Sequence, residues 1–142
     1  MDLAVNNYWK QFKHFKKDDI DFPQMSSYWL VSTMNLIREK IGKPLVIHRS
    51  FDPNASKASA HSNQPCQACD FHIEGGNLFN DFMEISRIPG ITAIGVYPYW
   101  INKGFHIETE MQQEHRKYWI RDESSQYLPI ATWTIHHILD NS

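Results

Sequence analysis

A chain of 142 residues is long enough to form one domain and bury a hydrophobic core without disulfide staples. Its 14 Lys and Arg against 16 Asp and Glu give a formal charge of -2, which argues against a nucleic-acid surface and against a polybasic membrane anchor. No run approaches the roughly 20 apolar residues that span a bilayer. The start, Met1-Asp-Leu-Ala-Val-Asn-Asn-Tyr-Trp-Lys10, lacks the basic and then apolar pattern of a secretion signal, so synthesis in the cytoplasm is expected. Five Trp, six Tyr and eight Phe exceed what a small core needs and leave aromatic side chains for a binding cleft.

Tyr8 to Lys17 mixes aromatic and basic residues and reads as a short lead-in helix or coil before a turn at Asp18-Asp-Ile-Asp-Phe-Pro23. Ser26 and Ser27 can cap a helix on which Leu30, Met34, Ile37 and Ile41 share one face, and Gly42 and Pro44 end it. Leu45-Val-Ile47 follows as a short buried strand. From Arg49 to Cys66 the chain turns to Ser, Asn, Ala, Pro and Gln without periodicity, the signature of a long loop, and such loops in compact domains tend to be functional. Cys69 to Ile73 alternates, with Cys69, Phe71 and Ile73 on one face and Asp70 and His72 on the other, until Gly75-Gly76 breaks the strand.

Leu78, Phe79, Phe82, Met83 and Ile85 predict a second amphipathic helix, closed by Pro89-Gly90. Ile94 to Tyr97 and Phe105 to Thr109 predict two strands joined by an aromatic turn at Pro98-Tyr-Trp100. In the second strand Phe105 and Ile107 face one way, His106 and Glu108 the other. Tyr118-Trp-Ile120 reads as a further strand and Ile130 to Leu139 as a terminal helix, with no internal repeat or low-complexity tract.

Alternation thus sets Asp70 with His72 and His106 with Glu108, each pair on one strand face, and pairing of those strands would gather all four. Spacing leaves two readings open. One is a buried, hydrogen-bonded polar network; the other is a metal site in which two imidazoles and a carboxylate hold zinc and leave a position for water. Cys66-Gln-Ala-Cys69 is a single C-x-x-C with no second pair and no helix start after it, which argues against a disulfide framework, a redox pair or a zinc knuckle. His136 and His137 are adjacent in a predicted helix and point in different directions, a poor arrangement for a metal.

His14-Phe-Lys-Lys through Gly42-Lys-Pro-Leu-Val-Ile47, then Ser59-Ala-His61 with Ala68-Cys-Asp70, then Gly95-Val-Tyr97-Pro with Gly104-Phe-His106-Ile-Glu108 together resemble the zinc D-alanyl-D-alanine carboxypeptidase family. That family includes phage endolysins and murein endopeptidases and shares its fold with the hedgehog signalling domain. The resemblance covers most of residues 12 to 120. It implies an α+β fold over one domain, residues 1–142: a small antiparallel sheet, flanking helices, and a zinc cleft on one sheet face. It implies that His61, Asp70 and His106 are the zinc ligands, and that zinc polarises a scissile carbonyl and lowers the pKa of its water towards about 7. The implied activity is that of a zinc metallopeptidase hydrolysing peptidoglycan stem peptides in bacterial cell-wall degradation. Without a secretion signal, a phage-encoded lysis protein delivered by a holin, or a virion-associated protein, is expected.

The chain also departs from the family's pattern. The stretch between His61 and Ala68-x-Asp70 is about two residues longer than usual, and Cys66 stands where the family has Gly. Many members carry an acidic general base three residues before the final His; Lys103 stands there, leaving the base unassigned. Glu108 replaces the Asp that follows the final His and either orients that ligand or assists the water. Arg49 lies near the family's Arg, although ungapped spacing puts Asp52 there; it is either a bidentate guanidinium for substrate or a solvated loop cation. His72 either joins the site or is its hydrogen-bonded neighbour. Tyr97 falls on the family's Tyr and either hydrogen-bonds substrate or packs. Lys103 supports a rival function, a non-catalytic binding or virion structural protein that keeps the peptidase fold.

Overall fold

The computed structural model describes residues 9–109 and 115–142. The amino-terminal residues read for a secretion signal, through Tyr8 where the lead-in segment was expected to start, lie outside the described residues. Tyr28–Ile41 forms helix α1. The Ser27 hydroxyl accepts the Leu30 backbone N–H at 3.0 Å, satisfying one of the first-turn donors a helix cannot pair internally. Gly42 ends the helix at φ 73, a left-handed conformation that suits glycine, and its N–H returns to the Arg38 carbonyl. Leu30, Val31, Met34 and Ile37 are buried on the inner face of α1. Ser27→Ala is expected to lower unfolding free energy by about 1 kcal/mol, read from the midpoint of a urea titration at unchanged slope.

Six strands follow: Leu45–Arg49 (β1), Ala68–Ile73 (β2), Ile91–Tyr97 (β3), Gly104–Thr109 (β4), Lys117–Arg121 (β5) and Tyr127–Leu128 (β6). They form one sheet in the order β1-β2-β4-β3-β5-β6. With helix α2, Leu78–Ser86, and the short helix α3, His136–Leu139, the described residues make an α+β fold. The sheet is mixed rather than antiparallel throughout, because β5 runs parallel to β3. Thr109, at the end of β4, lies opposite Ile91, where β3 begins, and β5 starts beside Ala93 at that same end. The chain therefore enters β5 in the direction of β3.

Phe71, Ile94, Val96, Phe105, Ile107 and Ile120 turn one sheet face into the main core with α1 and with Phe82 and Ile85 of α2. The alternate residues Asp70, Gly95, His106, Glu108 and Trp119 belong to the opposite face. β1 is an edge strand of mostly half-buried residues, longer and more open than the short buried strand expected. Its register slips between Ile47 and Arg49, and this bulge sets Arg49 opposite Asp70. The terminal helix is shorter than its apolar pattern suggests. The Thr134 hydroxyl accepts from the Ala131 N–H at 2.8 Å and donates to the Pro129 carbonyl at 2.6 Å, holding a turn where a helix from Ile130 was expected. Among the described residues no helix is long and apolar enough to cross a membrane.

Candidate metal centre

His61 comes from the long loop after β1, on a single 3-10 turn at Ala60–Ser62. The Ser59 side chain caps this turn by accepting the His61 backbone N–H at 3.3 Å, which accounts for the Ser-x-His spacing. The His61 ring is buried, and its Nδ1 lies 2.6 Å from the Ser50 carbonyl. That N–H donates to the carbonyl and fixes Nε2 as the nitrogen facing the site. Ser50 is itself held, its hydroxyl lying 3.4 Å from the Ser26 hydroxyl and donating to the Asp21 carbonyl at 3.3 Å.

The other two groups come from the middle of the sheet, where Asp70 of β2 is the direct cross-strand partner of His106 of β4. His106 Nδ1 lies 2.7 Å from Asp70 Oδ1; His61 Nε2 lies 3.3 Å from Asp70 Oδ2 and 3.3 Å from His106 Nδ1. On the other side of its ring, His106 Nε2 donates to Glu108 Oε1 at 3.1 Å. One ligand atom from each of His61, Asp70 and His106 therefore lies within 4.8 Å of the other two, and the three form a group that can hold a metal ion. Each imidazole has its outer nitrogen bonded to an oxygen acceptor, the arrangement that orients histidine ligands in metal sites. Glu108→Gln is expected to weaken metal binding 10- to 100-fold, measured by competition with a chromophoric chelator.

Charge supports this geometry. Burial pushes the Asp70 carboxyl up, but hydrogen bonds to His106 and His61 outweigh it and hold the group well below the usual carboxylate range. Burial pulls His106 down, yet its bonds to Asp70 and Glu108 prevail and raise it to about 9. The bond to His106 likewise lowers Glu108. Gly95, beside His106 in the sheet, leaves room for the Trp119 indole: a Cβ there would collide with Trp119 Nε1. The indole consequently reaches the His106 ring, with centroids 5.3 Å apart.

Asp70 opens onto a cavity of about 360 Å³ that is also lined by His48, Arg49, Trp100 and Asn102. The Arg49 guanidinium stands in this wall, 4.0 Å from Asp70 Oδ2, and is braced by Asp52 at 3.0 Å. Tyr97 lies behind Trp100, buried, its ring stacked on the Trp100 ring at 4.0 Å, and its hydroxyl accepts the Trp119 N–H at 3.1 Å. Burial pushes that hydroxyl up to about 12.

Other residues singled out by sequence lie apart from the three ligands. His72 does not join Asp70; its Nδ1 is 2.5 Å from His48 Nε2. Lys103 is exposed and donates to the Asn141 carbonyl at 3.1 Å, so its ammonium is tied to the carboxyl-terminal turn. Cys66 and Cys69 are buried free thiols whose pKa burial raises. The Ser50 carbonyl, Trp119 and His48 escaped sequence reading. Only Trp119 left a signal, since a glycine such as Gly95 inside a strand marks the close approach of another group. Comparison of the chain with family models, with curated proteins and with solved structures finds no match to any of them.

Proposed function

We propose that this chain is a zinc-dependent peptidase acting on the stem peptides of peptidoglycan. One observation carries the reading: two imidazole nitrogens and a carboxylate converge beside a cavity while both rings are oriented from behind by oxygen acceptors. Two nitrogens and one oxygen are a donor set that suits zinc, and three protein ligands are the number that leaves a coordination position open. Held by His61, Asp70 and His106, a zinc ion would lower the pKa of a water and polarise a peptide carbonyl.

The protein's own residues do the rest. The Ser50 carbonyl and Glu108 hold the rings in place, and Trp119 walls off the side of His106. Arg49 offers a guanidinium to a substrate carbonyl or terminal carboxylate entering the cavity. Trp100, stacked on Tyr97, supplies a firm apolar wall for the peptide. The substrate class rests on the resemblance of the Ser59-Ala-His61 and Gly104-Phe-His106 segments to the cell-wall peptidases, and with it the reading of a phage lysis or virion-associated protein.

A second reading is favoured by a specific observation. Among the described residues lining the cavity, the one carboxylate is Asp70, so the wall itself supplies no separate general base. A domain that keeps the metal to bind cell-wall peptide without cutting it would look the same here. The test is to measure metal in the purified protein and then follow release of new amino groups from purified cell wall, with and without chelator and with zinc restored. Zinc together with chelator-sensitive release supports the peptidase. Zinc without release supports the binding domain, and a metal-free protein without release overturns both.

A further inference from the structure

We propose that His48 and His72 form a second cation site, a two-imidazole clamp for zinc or a similar transition-metal ion on the wall of the same cleft. His48 sits at the bulge of β1 between Ile47 and Arg49, and His72 lies on the neighbouring strand opposite Val46. Their rings meet edge to edge, with centroids 4.7 Å apart and planes inclined by 22°, and His48 Nε2 faces His72 Nδ1 at 2.5 Å. Two imidazole nitrogens aimed at each other can share a proton or share a metal ion. At zinc–nitrogen distances of about 2.0–2.1 Å, two nitrogens on a tetrahedral ion stand roughly 3.3 Å apart. The pair needs to open by less than about 1 Å to reach that geometry. His48 is exposed on the edge strand β1 and His72 is half-buried on β2 beside it, so the His48 ring has room to move.

This site is distinct from the three-residue centre. Asp70 and His72 are two residues apart on β2, about 7 Å along the strand, whereas ions that share bridging ligands lie about 3.5–4 Å apart. Imidazole pairs without a carboxylate prefer borderline ions such as zinc, nickel and copper over magnesium or calcium. His48 also lines the cavity beside Arg49 and Asp70, so an ion held there borders that cavity. Slowing of turnover by excess zinc would follow only if the chain is a peptidase; binding at His48 and His72 does not depend on that reading.

The test is a zinc titration of the full chain, labelled with nitrogen-15 at histidine and followed through its imidazole resonances. The first equivalent is expected to shift His61 and His106, and a second, weaker equivalent to shift His48 and His72. His48→Ala and His72→Ala should each weaken the second step at least about tenfold, with the first step intact as proof of fold. Should either variant lose both steps, the wild-type resonances alone decide the matter. A second equivalent that shifts other imidazoles instead, or the lack of any second step, overturns the proposal.

Discussion

Asp70→Asn is expected to lower metal affinity by two to three orders of magnitude while leaving the fold in place. Structural zinc sites with four ligands bind with about 10–16 kcal/mol, or roughly 3 kcal/mol per ligand, which corresponds to a factor of 10²–10³. Asparagine keeps the size of the side chain but replaces an anionic ligand with a neutral amide, and it leaves the two imidazoles without the carboxylate that both approach. In the metal-free protein the same change keeps an acceptor at Oδ1 but removes the negative charge that faces the buried His106 ring, and breaking such a pair costs up to about 3–5 kcal/mol. Metal content, chelator competition and a thermal melt measure the two effects separately. A variant that keeps wild-type zinc affinity would show that these residues are not the centre that holds the metal.

Metal affinity is also expected to rise about tenfold per pH unit from neutrality up to about pH 9. In the metal-free state His106 is raised from its ordinary 6.5 to about 9, so near pH 7 its Nδ1 carries the proton that faces Asp70. That proton must leave before the nitrogen can bind an ion. Each ion bound near neutral pH should therefore release about one proton, measured by calorimetry in buffers of different ionisation enthalpy.

Metal-free stability should run the opposite way. A group whose pKa is raised on folding contributes stability that is fully present below its unfolded value and is lost as pH rises through its folded value. For His106 that loss spans about 6.5 to 9. Asp70 is depressed, so its contribution is present above its ordinary 3.8 and is lost as pH falls. The chelated protein should melt highest between about pH 4 and 6.5 and lower towards pH 9, with added zinc restoring the difference. A melting temperature that is flat from pH 6.5 to 9, with no proton released on binding, would remove the coupling.

The parts legible in sequence are those set by local rules. Ser27 and Gly42 bracket α1 because a hydroxyl can take a first-turn N–H and glycine can turn left-handed. Alternation divided β2 and β4 into core and polar faces, and their pairing makes Asp70 and His106 direct partners. His72 obeyed the same alternation and still missed the centre, because the bulge in β1 brings His48 against it from the strand edge. Lys103 occupies the position suggested for a base, but its side chain runs to Asn141, a contact between segments far apart in sequence. The short β6 and the late start of the terminal helix depend on a pairing with Ile120 and on the Thr134 hydroxyl, neither of which leaves a periodic trace.

By itself, then, the order of residues determined which side chains share a strand face, where α1 starts and stops, and that a loop and two strands carry the histidines and the carboxylate. These follow from backbone periodicity and local hydrogen bonding, which act over a few residues. Tertiary structure decided that the Ser50 carbonyl orients His61, that Glu108 bonds the His106 ring as one of its two sequence readings had it, that the indole of Trp119 crosses Gly95 to reach His106, and that Arg49 stands over Asp70. Apart from Glu108, each of these depends on strand order, a one-residue register slip or the path of a loop, which are set by how the whole sheet packs.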